Sequence, residues 1–227
     1  MPGYKVKIET ITIGGADYLI RSLSDLQQYS DPQGEAALVG VSPASWPLFG
    51  QIWPSARVLA LSMHDFDLHG KRILEIGAGL ALASLVIHRR DGDVTVSDWH
   101  PLSESFLNEN LSLNNLGAMK YQTGNWETAN LTLGRFDLII GSDILYERQQ
   151  PNQLAKFIDS HAAVCAEIII VDPDRGNRPV FCREMAGLGY EFTTWRAKRF
   201  LENGEAFKGC FIRFNRSAAP VAGIRDD

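Results

Sequence analysis

The chain has 227 residues, of which 45% are hydrophobic and 22% charged, and a formal net charge of −5. These are globular values, compatible with one large α/β domain or two small ones. The acidic balance leaves no basic footprint for nucleic acid, and no apolar run approaches the length of a membrane span. Cys165, Cys182 and Cys210 form no C-x-x-C pair. The first twenty residues alternate apolar and polar and show no signal-peptide core, so the cysteines read as reduced thiols of a cytoplasmic protein. Neither nucleic acid nor membrane is expected as a partner, and a monomer is expected.

Residues 4–21 alternate, with Val6, Ile8, Ile11 and Ile13 before Gly14-Gly15 and Tyr18 and Ile20 after it. That pattern predicts an accessory β-hairpin. Residues 22–29 are read as one or two helical turns, and residues 31–45, rich in Pro, Gly, Ser and Ala, as a loop. Two Trp-Pro pairs then fall within nine residues, Trp46-Pro47 and Trp53-Pro54. Pro54 suits the first position of a helix, with Val58, Leu59, Leu61 and Met63 as its apolar face. The tryptophans fit an anchor for that helix, which composition favours, or, for Trp53, a cover over a ligand at the turn that follows. Residues 64–69 hold metal-ligand residue types without a zinc spacing and read as a polar connector.

The chain is organised around Arg72-Ile73-Leu74-Glu75-Ile76-Gly77-Ala78-Gly79-Leu80-Ala81. It reads as a buried strand, a glycine turn and the opening of a helix continued by Leu82, Leu85 and Val86. Such a turn places backbone N–H groups beside a ligand. A dinucleotide fingerprint needs a third glycine, and Leu82 stands there instead.

Residues 93–98 form a second strand ending in Asp98, about twenty residues past the turn, where an acid can accept hydrogen bonds from ribose hydroxyls. Asp98 also fits a helix cap, and the two roles are compatible. A helix is expected over 101–115 and a third strand over 118–123. The third strand ends beside Asn125 and Trp126, an amide and an aromatic plane suited to a nucleobase. The continuous apolar run 136–141 predicts a strand buried on both faces, ending in Ser142-Asp143-Ile144-Leu145-Tyr146. A helix from Pro151, a strand over 167–172, a helix over 177–187, and two strands over 190–195 and 205–214 complete the pattern. The tail from residue 215 shows no apolar pattern and is expected to fray. Strands alternate with helices from Lys71 onward, which predicts a doubly wound, mostly parallel α/β sheet with ligands outside the carboxyl ends of its strands.

The spacing Glu75-x-Gly77-x-Gly79-x-Ala81, with Trp53-Pro54-Ser55, Asp98, Trp126 and Asp143-Ile144-Leu145-Tyr146, resembles the seven-β-strand, or class I, methyltransferases dependent on S-adenosyl-L-methionine. Within them it is similar to the group of protein lysine methyltransferases with a D-x-x-Y motif. The resemblance covers about residues 53–214, which implies a seven-stranded Rossmann-like methyltransferase domain preceded by a hairpin and loop over 1–52 and followed by a flexible tail over 215–227. It implies cofactor contacts from Trp53, Glu75, Gly77, Ala78, Gly79, Asp98, Asn125, Trp126 and Ser142. Asp143 and Tyr146 are expected at the mouth that accepts an amine, although a helix-capping acid and a core aromatic also fit those positions. The implied reaction is methyl transfer to a protein lysine, leaving S-adenosyl-L-homocysteine. A small amine as acceptor, or a cofactor-binding module without catalysis, are the alternatives. Ala81 departs from the usual third glycine, and Asn125 stands where an acid is common, which leaves its adenine contact open.

Overall fold

The structure, a computed structural model, describes residues 3–127, 130, 132–147, 150–197 and 206–216. Two strands, β1 (Val6–Ile13) and β2 (Ala16–Leu23), pair antiparallel across Gly14-Gly15, both at positive φ. After the short α1 (Glu35–Leu38) and a 3₁₀ turn over Trp46–Gly50 comes α2 (Pro54–Asp65). Pro54 sits at its first turn, where a missing N–H costs nothing. The alternating part follows: β3 (Arg72–Ile76), α3 (Leu82–Arg89), β4 (Asp93–Asp98), α4 (Ser103–Leu113), β5 (Lys120–Thr123), β6 (Phe136–Ser142), α5 (Pro151–His161), β7 (Ala162–Asp172), α6 (Arg178–Gly187), β8 (Glu191–Arg196) and β9 (Cys210–Asn215).

The seven later strands form one sheet in the order β5-β4-β3-β6-β7-β9-β8. β3, β4, β5, β6 and β7 run parallel, and β9 is antiparallel to both its neighbours. From β3 the chain winds outward through β4 to β5, then returns to the other side of β3 with β6. That reversal opens a crevice at the carboxyl ends of β3 and β6.

Period-two alternation sends side chains to two cores. Ile73, Leu138 and Ile140 face the layer made by α2, α3, α4 and the hairpin, while Leu74, Ile76 and Ile139 face α5 and α6. Ile11, Tyr18, Ile20 and Leu23 of the hairpin share the first core with Leu85 and Phe106, so the packing runs across residue 52 without a break. The edge strand β8 is exposed along its length, and β5 is largely so.

Residues 22–29 are not helical. Ser22 and Leu23 close β2, Ser24 N–H donates to Lys5 O at 3.0 Å, and Asp25 takes Gln27 N–H on its side chain at 2.8 Å. An aspartate that binds the backbone two residues on competes with the helix ladder. The expected loop 31–45 contains α1, whose start is held by the Asp31 carboxylate through Ala36 and Ala37 N–H. Asn215, expected to open the tail, closes β9, and Arg216 pairs with Asp159. The remainder of the expected flexible tail, residues 217–227, lies outside the described residues, as do Lys198 and Arg199. No helix among the described residues is long and apolar enough to cross a membrane.

Candidate active site

A cavity of about 1010 Å³ opens at the crevice. Its floor is the turn after β3. Gly77 and Gly79 sit at φ 56° and 55°, and neither has room for a side chain. A Cβ on Gly77 would stand 2.7 Å from Ile144 Cγ2, and one on Gly79 would stand 2.8 Å from the carbonyl of Phe49. Ala78 donates its N–H to Ser97 O at 3.2 Å, which ties the turn to β4. Ala81, at φ 56°, is left-handed and fully buried at the start of α3.

Glu75 does not reach the cavity. Its side chain points into the core, where Oε2 accepts the N–H of Ser84 at 2.8 Å and the Ser84 hydroxyl. Burial pushes its carboxyl up to about 7, against the pull of the Ser84 bonds, with the charge of Asp98 adding to the rise. The expectation of a cofactor contact is corrected: alternation along β3 puts Glu75 on the same face as Ile73, under α3, and it pins that helix to the strand.

Asp98 lines the cavity with both carboxylate oxygens engaged. Oδ2 accepts Gly79 N–H at 2.7 Å, and Oδ1 accepts His100 N–H at 2.8 Å and the Ser103 hydroxyl at 2.9 Å. It therefore orders the glycine turn and the entry to α4 together. Each carboxylate oxygen has two lone pairs, so Oδ2 keeps one for a ligand hydroxyl. Burial raises the Asp98 pKa and these donors oppose the rise.

The two Trp-Pro pairs divide the roles weighed for them. Trp46 is the anchor, 1% exposed among Tyr4, Tyr29, Phe49 and His100. Trp53 is half-buried in the cavity wall, its indole N–H donating to Leu48 O at 3.0 Å. Asn125 and Trp126 both line the cavity. The Asn125 side-chain oxygen accepts Glu127 N–H at 2.8 Å, and the Trp126 ring lies over Gly77.

At the far side, β6 delivers Ser142, Asp143 and, beyond Ile144, Tyr146 to the same cavity. Asp143 is left-handed at φ 58°, its N–H donating to Val171 O at 2.9 Å. Its Oδ1 accepts from Arg175 twice, from Nε at 2.7 Å and Nη2 at 2.5 Å. Tyr146 is 43% exposed. Its hydroxyl is pushed up to about 12 by desolvation and by the carboxylates of Asp98, Glu147 and Asp143, so it stays a phenol.

Of the residues singled out from sequence, Trp53, Gly77, Ala78, Gly79, Asp98, Asn125, Trp126, Ser142, Asp143 and Tyr146 share one cavity, and Glu75 stands beneath it. Sequence reasoning missed Trp99, His100, Gln150 and Arg175, which also line it. Trp99 carried a signal, since it follows Asp98 at a strand end. His100 is stacked on Phe49 with ring centroids 3.7 Å apart, and burial lowers its pKa to about 3. The side-chain oxygen of Gln150 is buried with no hydrogen-bond partner among the described residues.

A family model described as lysine methyltransferase matches residues 48–180. The chain is 27% identical over 175 residues to a calmodulin-lysine N-methyltransferase of Arabidopsis thaliana, covering 67% of this chain and 57% of that protein. It is 36% identical over 103 residues to the protein N-lysine methyltransferase METTL21A of Danio rerio, covering 42% and 47%. It is 32% identical over 103 residues to the histone-arginine methyltransferase METTL23 of Xenopus laevis, covering 42% and 44%. The chain thus spans about half the length of these relatives. Among solved structures, a ribosomal protein L11 methylase of Lactobacillus delbrueckii subsp. bulgaricus has the same fold, with a TM-score of 0.56, 19% identity and coverage of 72% and 79%.

Proposed function

The chain belongs to the lysine methyltransferase family, and from that premise we propose that it transfers a methyl group from S-adenosyl-L-methionine to the side-chain amine of a lysine in a protein, leaving S-adenosyl-L-homocysteine. The observation that carries the proposal is the meeting, in one cavity, of the glycine turn and Asp98 on one side with Asp143 and Tyr146 on the other.

The cavity suits an elongated nucleoside with an amino-acid tail. Gly77 and Gly79 let the turn pack its backbone against Ile144 and Phe49 at the cavity floor, and Asp98 keeps an acceptor for a sugar hydroxyl. Trp53, Ala78, Asn125, Trp126 and Ser142 complete the wall on which the cofactor would lie. When bound, the cofactor supplies a methyl on a positive sulfur, which disfavours an ammonium ~4 Å away by roughly 4 kcal/mol at an effective dielectric of about 20.

A free lysine, with a pKa of ~10.4, costs about 4–5 kcal/mol to deprotonate at pH 7. Asp143 alone does not lower that cost, because a carboxylate favours the charged amine. Its role is to orient the amine and accept a hydrogen bond from it. Tyr146 is the neutral wall of the same mouth and can hydrogen-bond the amine as a phenol.

Cell lysate incubated with the protein and methyl-labelled cofactor should show a labelled protein band. Mass spectrometry of that band should find methyl-lysine, and Asp143→Ala should abolish the label. One relative is named for arginine, so methyl-arginine in the band would move the acceptor to a guanidino group. Label confined to the small-molecule fraction would point to a free amine. The unpaired state of Cys165, Cys182 and Cys210 supports a cytoplasmic location.

A further inference from the structure

We propose that Arg175 is a positioning residue that neutralises Asp143, so that an amine entering the cavity meets a hydrogen-bond acceptor rather than a bare counter-ion and is held as the free base. The inference rests on the amine-acceptor role of Asp143 proposed above.

The geometry is specific. Both guanidinium contacts fall on Oδ1 of Asp143, at 2.7 and 2.5 Å, which leaves Oδ2 to receive an N–H. The carboxylate is only 9% exposed, whereas the guanidinium is 39% exposed and lines the cavity. The pair is built from two elements. Asp143 is fixed by its left-handed backbone and by Val171 O. Arg175 is fixed by its own N–H, which donates to Asp172 Oδ1 at 2.7 Å across a turn in which Asp174 has φ 73°. Asp172 is fully buried, so the turn is held from inside.

An unpaired carboxylate here would raise the pKa of a neighbouring amine and oppose the effect of a positive cofactor. A carboxylate already bound to a guanidinium contributes little net charge and still accepts a hydrogen bond. Among the described residues, Tyr146 feels Asp143 and Arg175 together with Asp98 and Glu147, Asp172 at the end of β7 feels Asp143 and Arg178, and Asp174 beside Arg175 is paired with Arg178 and Arg196. Among the described residues the cation paired with Asp143 is Arg175, so the balance at the amine turns on that pair.

The test uses n-butylammonium as a stand-in for the lysine side chain, titrated calorimetrically at pH 7 into protein saturated with S-adenosyl-L-homocysteine. Arg175→Gln should bind this cation about tenfold more tightly than the parent, and Arg175→Lys should restore the parent value. On the acceptor found in lysate, Arg175→Gln should lower both kcat and KM, and the rising limb of its pH–rate profile should move about one unit alkaline. No binding to Arg175→Gln, binding no tighter than the parent's, or an unmoved limb overturns the proposal. Adding Asp143→Asn to Arg175→Gln tells the two ideas apart. Cation affinity that survives there shows that Asp143 is not the counter-ion, and the acceptor site itself is then misassigned.

Discussion

At the residue scale, three acids in one neighbourhood do three different jobs because their surroundings differ. Asp98 is a buried node, Asp143 is paired at the mouth, and Glu75 is a neutralisable strut. The Glu75 carboxyl sits at about 7, above the 4.5 of an ordinary glutamate. Below 4.5 folded and unfolded forms are both protonated and the stabilisation is complete; as pH rises towards about 7 the unfolded form gives up its proton first, and stability falls. At about 1.4 kcal/mol per unit the loss approaches ~3 kcal/mol. Glu75→Gln keeps an oxygen for Ser84 and carries no charge, so urea denaturation at pH 5 and pH 7.5 should show a smaller drop in the variant. Glu75→Ala should cost about 1–3 kcal/mol near pH 5, because the buried Ser84 N–H loses its acceptor, and the cost should shrink as pH rises through about 7, because the variant has no carboxyl to titrate. The sequence showed that an acid belongs two residues before Gly77, yet not where it points. That depends on which face of β3 meets α3. Ala81 was legible as a departure from glycine, and the structure shows its local consequence, a buried left-handed alanine of the kind that costs roughly 1–2 kcal/mol.

At the element scale, the parallel strands were legible because each is a short apolar run ending in polar residues, and helices with Pro at the first turn separate them. The way the hairpin docks was not legible. Asn110 of α4 and Asn114, which caps its C-terminus one turn on, reach the free edge of β2. Asn110 accepts Arg21 N–H at 2.7 Å and donates to Arg21 O, while Asn114 accepts Leu19 N–H at 2.9 Å and donates to Leu19 O. Two side-chain amides thus act as a surrogate strand and blunt an edge that could otherwise pair with another chain. Sequence periodicity reports burial and not hydrogen bonding, so this contact leaves no mark in it. Asn110 is fully buried. Asn110→Ala should therefore cost about 1–3 kcal/mol by stranding the Arg21 backbone. Hydrogen exchange should show the amide proton of Arg21 losing protection, while that of Leu19, held by Asn114, and those of β3 and β6 keep theirs.

At the scale of the whole molecule, the crevice exists because the chain reverses its winding across the sheet between β3 and β6, and that is why residues as far apart as Trp53, Gly77 and Asp143 meet there. Gly77, Gly79, Asp98, Asn125, Trp126, Ser142 and Asp143 were legible because each ends or follows a strand. Arg175 was not, because its partnership with Asp143 across 32 residues is set by the turn after β7 and leaves no mark in local spacing. The same architecture makes ligand binding a stability effect that spans both halves of the sheet. S-adenosyl-L-homocysteine at a hundred times its dissociation constant should add about 2.7 kcal/mol. For a chain of this length, at about 2–4 °C per kcal/mol, that raises Tm by roughly 5–10 °C. Asp98→Ala should lower the starting Tm, since Gly79 N–H, His100 N–H and Ser103 lose their acceptor. The informative quantity is therefore the increment on adding ligand, which should shrink towards zero in Asp98→Ala and persist in Glu75→Gln, whose side chain does not face the cavity. A full increment in Asp98→Ala would place the nucleoside elsewhere, because no other carboxylate stands at the end of β4 to receive its sugar.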